Sequence, residues 1–154
     1  MRRLSIYPIL ILLLWPMAAS ARKHAKELTT DSITVCQLLH EASQLPASAN
    51  LPLFFAKKFI GRPYVAATLE GNDPECLVVN TRQLDCTTLV ENVMALTLCV
   101  QRHNLSYYAF KHALVDMRYR GGLIRGYTSR IHYFTEWITE NTKAGIVHEI
   151  QAPN

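Results

Sequence analysis

Apolar side chains recur at intervals of three and four residues in several segments of the chain, which is the pattern of amphipathic helices. The clearest such segment begins at Cys86, and its apolar stripe is formed by Leu89, Val93, Leu96 and Val100. Asp85 stands immediately before it and is a favoured N-cap residue, because its carboxylate accepts a hydrogen bond from an early backbone N–H. We therefore expect Cys86 at the first position of a helix, on its apolar face.

Four more helices and a few short strands complete the predicted pattern. The helices are expected at residues 31–46, with Asp31 as the N-cap, and at 51–61, 107–117 and 133–142. Strands are expected at 76–79 and 146–150, while residues 124–131 fit a loop or a strand. This order predicts an α+β domain with a helix-rich N-terminal half. Because strands need partners and the chain ends soon after the last one, we expect the domain to be truncated at its C-terminus.

The first 21 residues have a composition of their own. Arg2 and Arg3 precede an apolar run at residues 9–15, and small residues follow at 18–21. This order is typical of a secretory signal peptide, and the apolar run is too short to span a bilayer comfortably. We expect cleavage after Ala21 and a secreted or periplasmic product, with contact to the membrane only through this segment. Residues 22–154 would form a single domain, and an uncleaved anchor is the alternative.

The charge balance bears on the class of partner. Lysine and arginine number 16 against 12 acidic residues, and without Arg2 and Arg3 the basic count falls to 14. A nearly balanced surface gives no support for binding to nucleic acid.

Four cysteines in an exported protein normally indicate disulfides. They are Cys36, Cys76, Cys86 and Cys99. If Cys86 is a working thiol, at most one bridge is left among the other three. The sequence does not choose that pair, and three reduced core cysteines fit equally well.

The position of Cys86 suggests a nucleophile. A helix N-terminus carries unpaired N–H groups and a partial positive charge, which stabilise a thiolate, and the Cys86 N–H would be free to stabilise an oxyanion. The alternative is a small buried hydrophobe. A thiol nucleophile needs a base, and of the six histidines His132 is the best placed, because it lies among aromatic residues just before a predicted helix. A structural histidine that caps this helix is the competing interpretation.

Two motifs make the chain resemble the NlpC-type papain-like cell-wall hydrolases: Gly61-Arg62-Pro63-Tyr64-Val65 and Leu84-Asp85-Cys86-Thr87-Thr88-Leu89-Val90-Glu91-Asn92. Further blocks resemble one branch of that superfamily, the N-acetylmuramoyl-L-alanine amidase-like family. These blocks are Val78-Val79-Asn80, Tyr119-Arg120-Gly121-Gly122, Gly126-Tyr127, Ser129-Arg130-Ile131-His132-Tyr133-Phe134 and Trp137-Ile138.

The resemblance implies a papain-like α+β fold with a small antiparallel sheet, and a cysteine hydrolase that acts on peptidoglycan or muropeptides. The bond would be the lactyl–L-alanine amide or one within the stem peptide. Cys86 would be the nucleophile and His132 the general base. His148 is the nearest match for the third residue, which orients the imidazole, with Asn141 and Glu149 as alternatives. The resemblance implies no cofactor and no catalytic metal.

Residues that bind the substrate follow from the same resemblance. Asp85 is expected to bind a free amine of the substrate, although a simple N-cap role fits as well. Tyr64 would line the same cleft. The arginines that would bind substrate carboxylates are Arg82, Arg120, Arg125 and Arg130, with solvated side chains as the default.

Three other functions fit parts of the sequence. The chain would be an inactive wall-binding fragment if it keeps the cleft without turnover. It would be an acyl transferase if the same thioester passed its acyl group to an acceptor other than water. It would be a zinc protein if the two Cys-x-x-x-His pairs, Cys36 with His40 and Cys99 with His103, bound one ion together.

Overall fold

The structure is a computed structural model that describes residues 30–148 and residue 150. Its five α-helices are α1 (30–43), α2 (Leu51–Lys58), α3 (Cys86–Gln101), α4 (Tyr107–Arg118) and α5 (Phe134–Lys143). Two 3-10 turns, Arg120–Gly122 and Tyr127–Ser129, lie between α4 and α5. Within the described residues, none of the helices is both long enough and apolar enough to cross a membrane. The predicted signal peptide at 1–21 lies outside the described residues.

The five predicted helices are present, and the local signals set several of their ends correctly. α3 begins at Cys86 as expected, and α2 begins at Leu51 with Asn50 as its N-cap. The prediction for Asp31 was wrong, because this residue lies inside α1. Its buried carboxylate instead accepts hydrogen bonds from the backbone N–H and hydroxyl of Thr81, at 3.0 and 2.6 Å. Asp31 thus ties α1 to the segment that leads into α3.

The predicted α+β papain-like fold with an antiparallel sheet is wrong for the part of the chain that the structure describes. Residues 30–148 contain no β-strand, only two isolated bridges. These pair Tyr64 with Leu84 in parallel and Tyr119 with Arg130 in antiparallel orientation. The fold is therefore helical, with irregular connections in place of a sheet.

The physical reason is visible at the predicted strand 76–79, where side chains bind the backbone groups that a neighbouring strand would otherwise pair. The hydroxyl of Tyr119 donates to the carbonyl of Cys76 at 3.2 Å, and the Arg118 guanidinium donates to the carbonyl of Val78 at 2.6 Å. The first residues of the predicted strand 146–150 instead bind the C-terminal end of α5, because the N–H groups of Ile146 and Val147 both donate to the Asn141 carbonyl. Glu149 lies outside the described residues.

The core is organised around α3, which packs against α2 on one side and α4 on the other. Apolar side chains from each described helix and from the connecting segments converge on it. The fully buried members include Val35, Leu39, Phe55, Ala95, Leu96, Phe110, Leu114 and Met117. Burial of this apolar surface is the main stabilising term of the fold.

A buried ion pair joins α3 and α4 inside this core. Nε and Nη2 of Arg118, in α4, lie 2.8 Å from Oε2 of Glu91, in α3, and both side chains are at most 3% exposed. Burial raises the pKa of the Glu91 carboxyl, against the opposing effect of the Arg118 guanidinium. Since Arg118 also donates to the Val78 carbonyl, a single side chain connects α3, α4 and the loop before α3.

Replacing Glu91 by leucine should lower the free energy of unfolding by about 3–5 kcal/mol, because it leaves the buried Arg118 guanidinium without its counter-ion. Urea denaturation followed by circular dichroism would measure the change. The matched control is Lys143→Gln, which breaks the exposed Lys143–Glu140 pair and should cost at most about 1 kcal/mol. Equal costs for the two variants would contradict a structural role for the buried pair.

Candidate active site

Cys86 occupies the first position of α3, and its neighbours hold the helix end in a fixed geometry. Oδ1 of Asp85 accepts a hydrogen bond from the Thr88 backbone N–H at 2.8 Å, and the Thr88 hydroxyl accepts one from the Asp85 N–H at 2.9 Å. This reciprocal capping box confirms the predicted N-cap role of Asp85. It fixes the direction in which the following thiol leaves the helix.

The first turn of α3 leaves donors free beside the thiol. The N–H of Thr88 donates to Asp85 Oδ1, and that of Leu89 to the Asp85 carbonyl at 3.0 Å. Among the described residues, the N–H groups of Cys86 and Thr87 have no acceptor. Sγ of Cys86 is exposed, 4.0 Å from Oγ1 of Thr87. The helix end therefore presents a thiol, two backbone donors and a partial positive charge to the same region.

Cys86 opens onto a cleft of about 290 Å³. Apolar side chains form much of its wall, namely Phe59, Leu84 and Leu89. The polar lining consists of Arg62, Tyr64 and Asp85. Two of the three predicted substrate-binding residues, Asp85 and Tyr64, therefore lie in the same cleft as the thiol.

The backbone holds Tyr64 beside the cysteine helix. The N–H of Val65 donates to the Leu84 carbonyl at 3.1 Å, and the Leu84 N–H donates to the Pro63 carbonyl at 3.2 Å. These two bonds fix the Tyr64 segment against the residues that precede Cys86, while Tyr64 itself stays 72% exposed.

Arg62 was missed in the sequence, although it stands in one of the two recognised motifs. It lines the cleft, and its guanidinium has no ion-pair partner in the described part of the chain. The available signal was its position two residues before Tyr64, within a Gly-Arg-Pro-Tyr turn where Gly61 has a φ of 84°.

A larger cavity of about 480 Å³ lies at the opposite end of α3, next to Cys99 and Arg102. Burial raises the pKa of the Cys99 thiol to about 11, so this thiol stays protonated at neutral pH. Cys99 is also 98% shielded from solvent, at 2% relative exposure. We therefore place the candidate active site at the cleft of Cys86.

His132 lies in a different cluster. Its Nε2 is 3.0 Å from the backbone carbonyl oxygen of Tyr127, and the two rings are 4.3 Å apart between centroids. His132 is exposed, does not line the cleft, and shares no hydrogen bond with Cys86 among the described contacts. The pairing of these two residues remains a prediction.

The candidates for the third residue have different surroundings. His148 is exposed, and no hydrogen bond reaches its side chain in the described part of the chain. Asn141 is buried, and its amide nitrogen donates to the carbonyls of Met117 and Trp137 at 3.1 and 2.9 Å, so it holds α5 against α4. Glu149 is outside the described residues. The catalytic role predicted for His148 stays a prediction.

Arg130, the third predicted substrate-binding residue, is buried at 4% exposure. Its guanidinium pairs with Glu75 at 3.2 Å and with Glu70 at 2.9 Å. The hydroxyl of Tyr119 donates to the same Glu75 at 2.8 Å. The pKa of this hydroxyl is raised, and burial is the largest cause. The structure thus gives Arg130 internal partners, and its contact with substrate stays a prediction.

The other predicted carboxylate-binding arginines differ among themselves. Nη2 of Arg82 lies 3.4 Å from Asp31, and Arg120 forms a fork with Glu136 at 2.5 and 2.7 Å. Arg125 lies in the exposed loop before the second 3-10 turn.

The two Cys-x-x-x-His pairs do not form a metal site in the part of the chain that is described, where no three or more histidine, cysteine or acidic side chains are grouped. Cys99 is buried in α3, while His103 lies beyond the helix end with a φ of 52°. The spacing therefore does not place this pair on one helix face. All four cysteines are free thiols.

Known proteins resemble this chain in both sequence and structure. An N-acetylmuramoyl-L-alanine amidase from Bacteroides uniformis is 46% identical over 62% of this chain and 39% of its own length, with a TM-score of 0.58. A protein from Bacteroides fragilis whose name proposes a xylanase is 41% identical over 60% of this chain and 40% of its own, with a TM-score of 0.56. A Legionella pneumophila protein, 23% identical over 79% of this chain and 40% of its own, has a TM-score of 0.66, which shows a shared fold.

The chain spans about two fifths of the length of these three proteins. No curated protein matches it. The family model described as N-acetylmuramoyl-L-alanine amidase-like, named AmiA-like, matches residues 54–154, which include the cleft, Cys86 and His132. Since this match covers well over half of the chain, the protein belongs to the N-acetylmuramoyl-L-alanine amidase-like family.

Proposed function

We propose that this protein is an exported hydrolase that cleaves an amide bond of peptidoglycan, with Cys86 as the nucleophile and His132 as the general base. The bond is the lactyl–L-alanine amide or one within the stem peptide. The observation that carries the proposal is the exposed thiol of Cys86 at the capped N-terminus of α3, open to a cleft, in a chain of the amidase-like family. Thiol chemistry is also what the NlpC-type motifs imply. Export rests on the predicted signal peptide at 1–21.

The proposed chemistry has two steps. In the first, the Cys86 thiol gives its proton to His132, and the sulfur attacks the amide carbonyl carbon, which breaks the C–N bond as His132 protonates the departing nitrogen. In the second, His132 takes a proton from water, the hydroxide attacks the thioester, and the thiol is released with a carboxylic acid. The free N–H groups of Cys86 and Thr87 would stabilise the negative oxygen in both tetrahedral intermediates.

The cleft suits a short peptide segment. Its apolar wall fits small aliphatic side chains such as that of alanine, and the Arg62 guanidinium is positioned to bind a carboxylate of the stem peptide. Asp85 has one carboxylate oxygen, Oδ1, engaged by Thr88, which leaves Oδ2 for an amine of the substrate. The proposal requires the His132 loop to face this cleft in the active protein.

Replacing Cys86 by alanine should abolish the release of soluble fragments from purified sacculi, with a loss in rate of about 10³-fold or more, because the attacking sulfur is gone. Mass spectrometry of the fragments would identify the bond: a free lactyl group marks an amidase, a shortened stem marks a peptidase, and an acyl group joined to a new acceptor marks an acyl transferase. The control is Cys76→Ala, an exposed thiol away from the cleft. Equal behaviour of wild type and Cys86→Ala would favour a wall-binding fragment and defeat the proposal.

Replacing His132 by glutamine should lower kcat/KM by about 10²–10⁴-fold, since the proton of the thiol then has no base to accept it. The rate would be measured on the muropeptide identified with wild type. His112→Gln, an exposed histidine on α4, is the matched control and should keep full activity. Full activity of His132→Gln would remove His132 from the mechanism.

The modification rates of the four cysteines can be compared without a substrate. At pH 7, Cys86 should react with iodoacetamide faster than the exposed Cys36 and Cys76, because of these three thiols it is the one at a helix N-terminus with free backbone N–H donors. Cys99 should react last, since it is buried and its pKa is raised to about 11. Peptide mass mapping over time would give the four rates. A Cys86 rate no higher than those of Cys36 and Cys76 would show that the helix end does not activate the thiol.

A further inference from the structure

The imidazole of His132 is held by one residue of its own loop, Tyr127. Nε2 of His132 lies 3.0 Å from the Tyr127 carbonyl oxygen. The two rings also lie against each other, with centroids 4.3 Å apart and planes inclined by 36°. Because a carbonyl oxygen can only accept, the nitrogen that faces it carries the proton. The neutral ring then has a bare Nδ1, which is the form that can take a proton from a thiol.

We propose that Tyr127 is the positioning residue of His132, and that its backbone carbonyl supplies the third polar group of the catalytic set. The carbonyl accepts the Nε2–H proton, fixes the tautomer, and stabilises the imidazolium that forms when Nδ1 takes the thiol proton. The inference rests on the proposed function and names the group that orients its base. It assigns to a main-chain oxygen the role that motif order predicted for His148.

The carbonyl of Tyr127 points in a direction set by a tight turn. Gly126 has a φ of 95°, and its carbonyl accepts hydrogen bonds from the Ser129 hydroxyl at 2.7 Å and the Ser129 N–H at 3.0 Å. The N–H of Arg130 donates to the Tyr127 carbonyl at 3.2 Å, which leaves the second lone pair of that oxygen for His132. The acceptor is therefore placed by backbone geometry, while the packing of the Tyr127 ring against the imidazole keeps Nε2 on that carbonyl.

The ring of Tyr127 also contacts Arg130. Cζ of Arg130 lies 5.1 Å from the centroid of the Tyr127 ring, within the range of a cation–π contact. The guanidinium is fixed by the carboxylates of Glu75 and Glu70, and Glu75 by the Tyr119 hydroxyl. Arg130 therefore connects Tyr127, and through it His132, to the charged pair of Glu70 and Glu75.

The test is the nuclear magnetic resonance spectrum of His132 in the full chain, with ¹⁵N-labelled histidine at pH 8. In wild type we expect Nε2 to be protonated and Nδ1 bare, with the His132 ring protons shifted upfield by the Tyr127 ring. Tyr127→Ala should remove the upfield shift and broaden the ring signals, whereas Tyr127→Phe should retain both features. Tyr127 is 55% exposed, so its replacement should leave the fold intact, which circular dichroism would verify.

The matched control is Tyr133→Ala, which removes a tyrosine next to His132 in sequence that is 74% exposed. This variant should leave the His132 signals unchanged. With an active substrate, Tyr127→Ala should lower kcat by about tenfold and change KM little, since the base is displaced and the cleft is not. Tyr127→Phe should keep the kcat of the wild type. A general loss of loop structure would not predict this difference between the two variants.

The outcomes separate the two proposals. A bare Nε2 in wild type, or unchanged His132 signals in Tyr127→Ala, would overturn the positioning role even if the protein is active. A wild-type protein with the expected His132 spectrum that releases nothing from sacculi would overturn the proposed function and leave the geometry of Tyr127 and His132 supported.

Discussion

The side chain and the backbone of Arg118 together hold the two halves of the candidate site in one framework. Its guanidinium pairs with Glu91, five residues after Cys86 on α3, and donates to the Val78 carbonyl in the segment that leads to α3. Its own carbonyl accepts the N–H of Ile131, the residue before His132. The cysteine helix and the histidine loop are therefore both attached to the same buried residue. An unpaired charge at this position would be destabilising, so the pair and the surrounding core must form together.

The sequence predicts best those features whose interacting residues lie close together in the chain. Asp85, Cys86 and Thr88 form a helix start because of their own side chains and backbone, and the capping box is as local as the prediction assumed. The helices follow for the same reason, since an apolar stripe needs only its own spacing to be recognised. Where a contact spans a long stretch of chain, this kind of inference fails. Asp31 was expected to cap its own helix, and its partner is Thr81.

The predictions of strands were wrong for a related physical reason. Residues 76–79 have the composition of a strand, but whether a strand forms depends on a partner elsewhere in the chain. In this fold the carbonyls of Cys76 and Val78 bind the side chains of Tyr119 and Arg118, which are about 40 residues away. The burial of Arg130 could not be predicted for the same reason, because an arginine in a polar motif is normally solvated and its ion-pair partners, Glu70 and Glu75, lie far from it in sequence.

The anchoring of the segment before α3 also bears on motion at the cleft. Asp31 holds Thr81 from the side of α1, and the Asn92 amide of α3 donates to the Asn80 carbonyl at 3.3 Å. The residues leading to Cys86 are therefore restrained from two helices, whereas, among the described hydrogen bonds, the wall at Tyr64 is attached only through the two backbone bonds that Pro63 and Val65 form with Leu84. A change in the width of the cleft would therefore displace the Tyr64 wall more readily than the Cys86 side. Under the proposed function, the thiol would stay in place while the exposed Tyr64 side chain adjusts to the ligand.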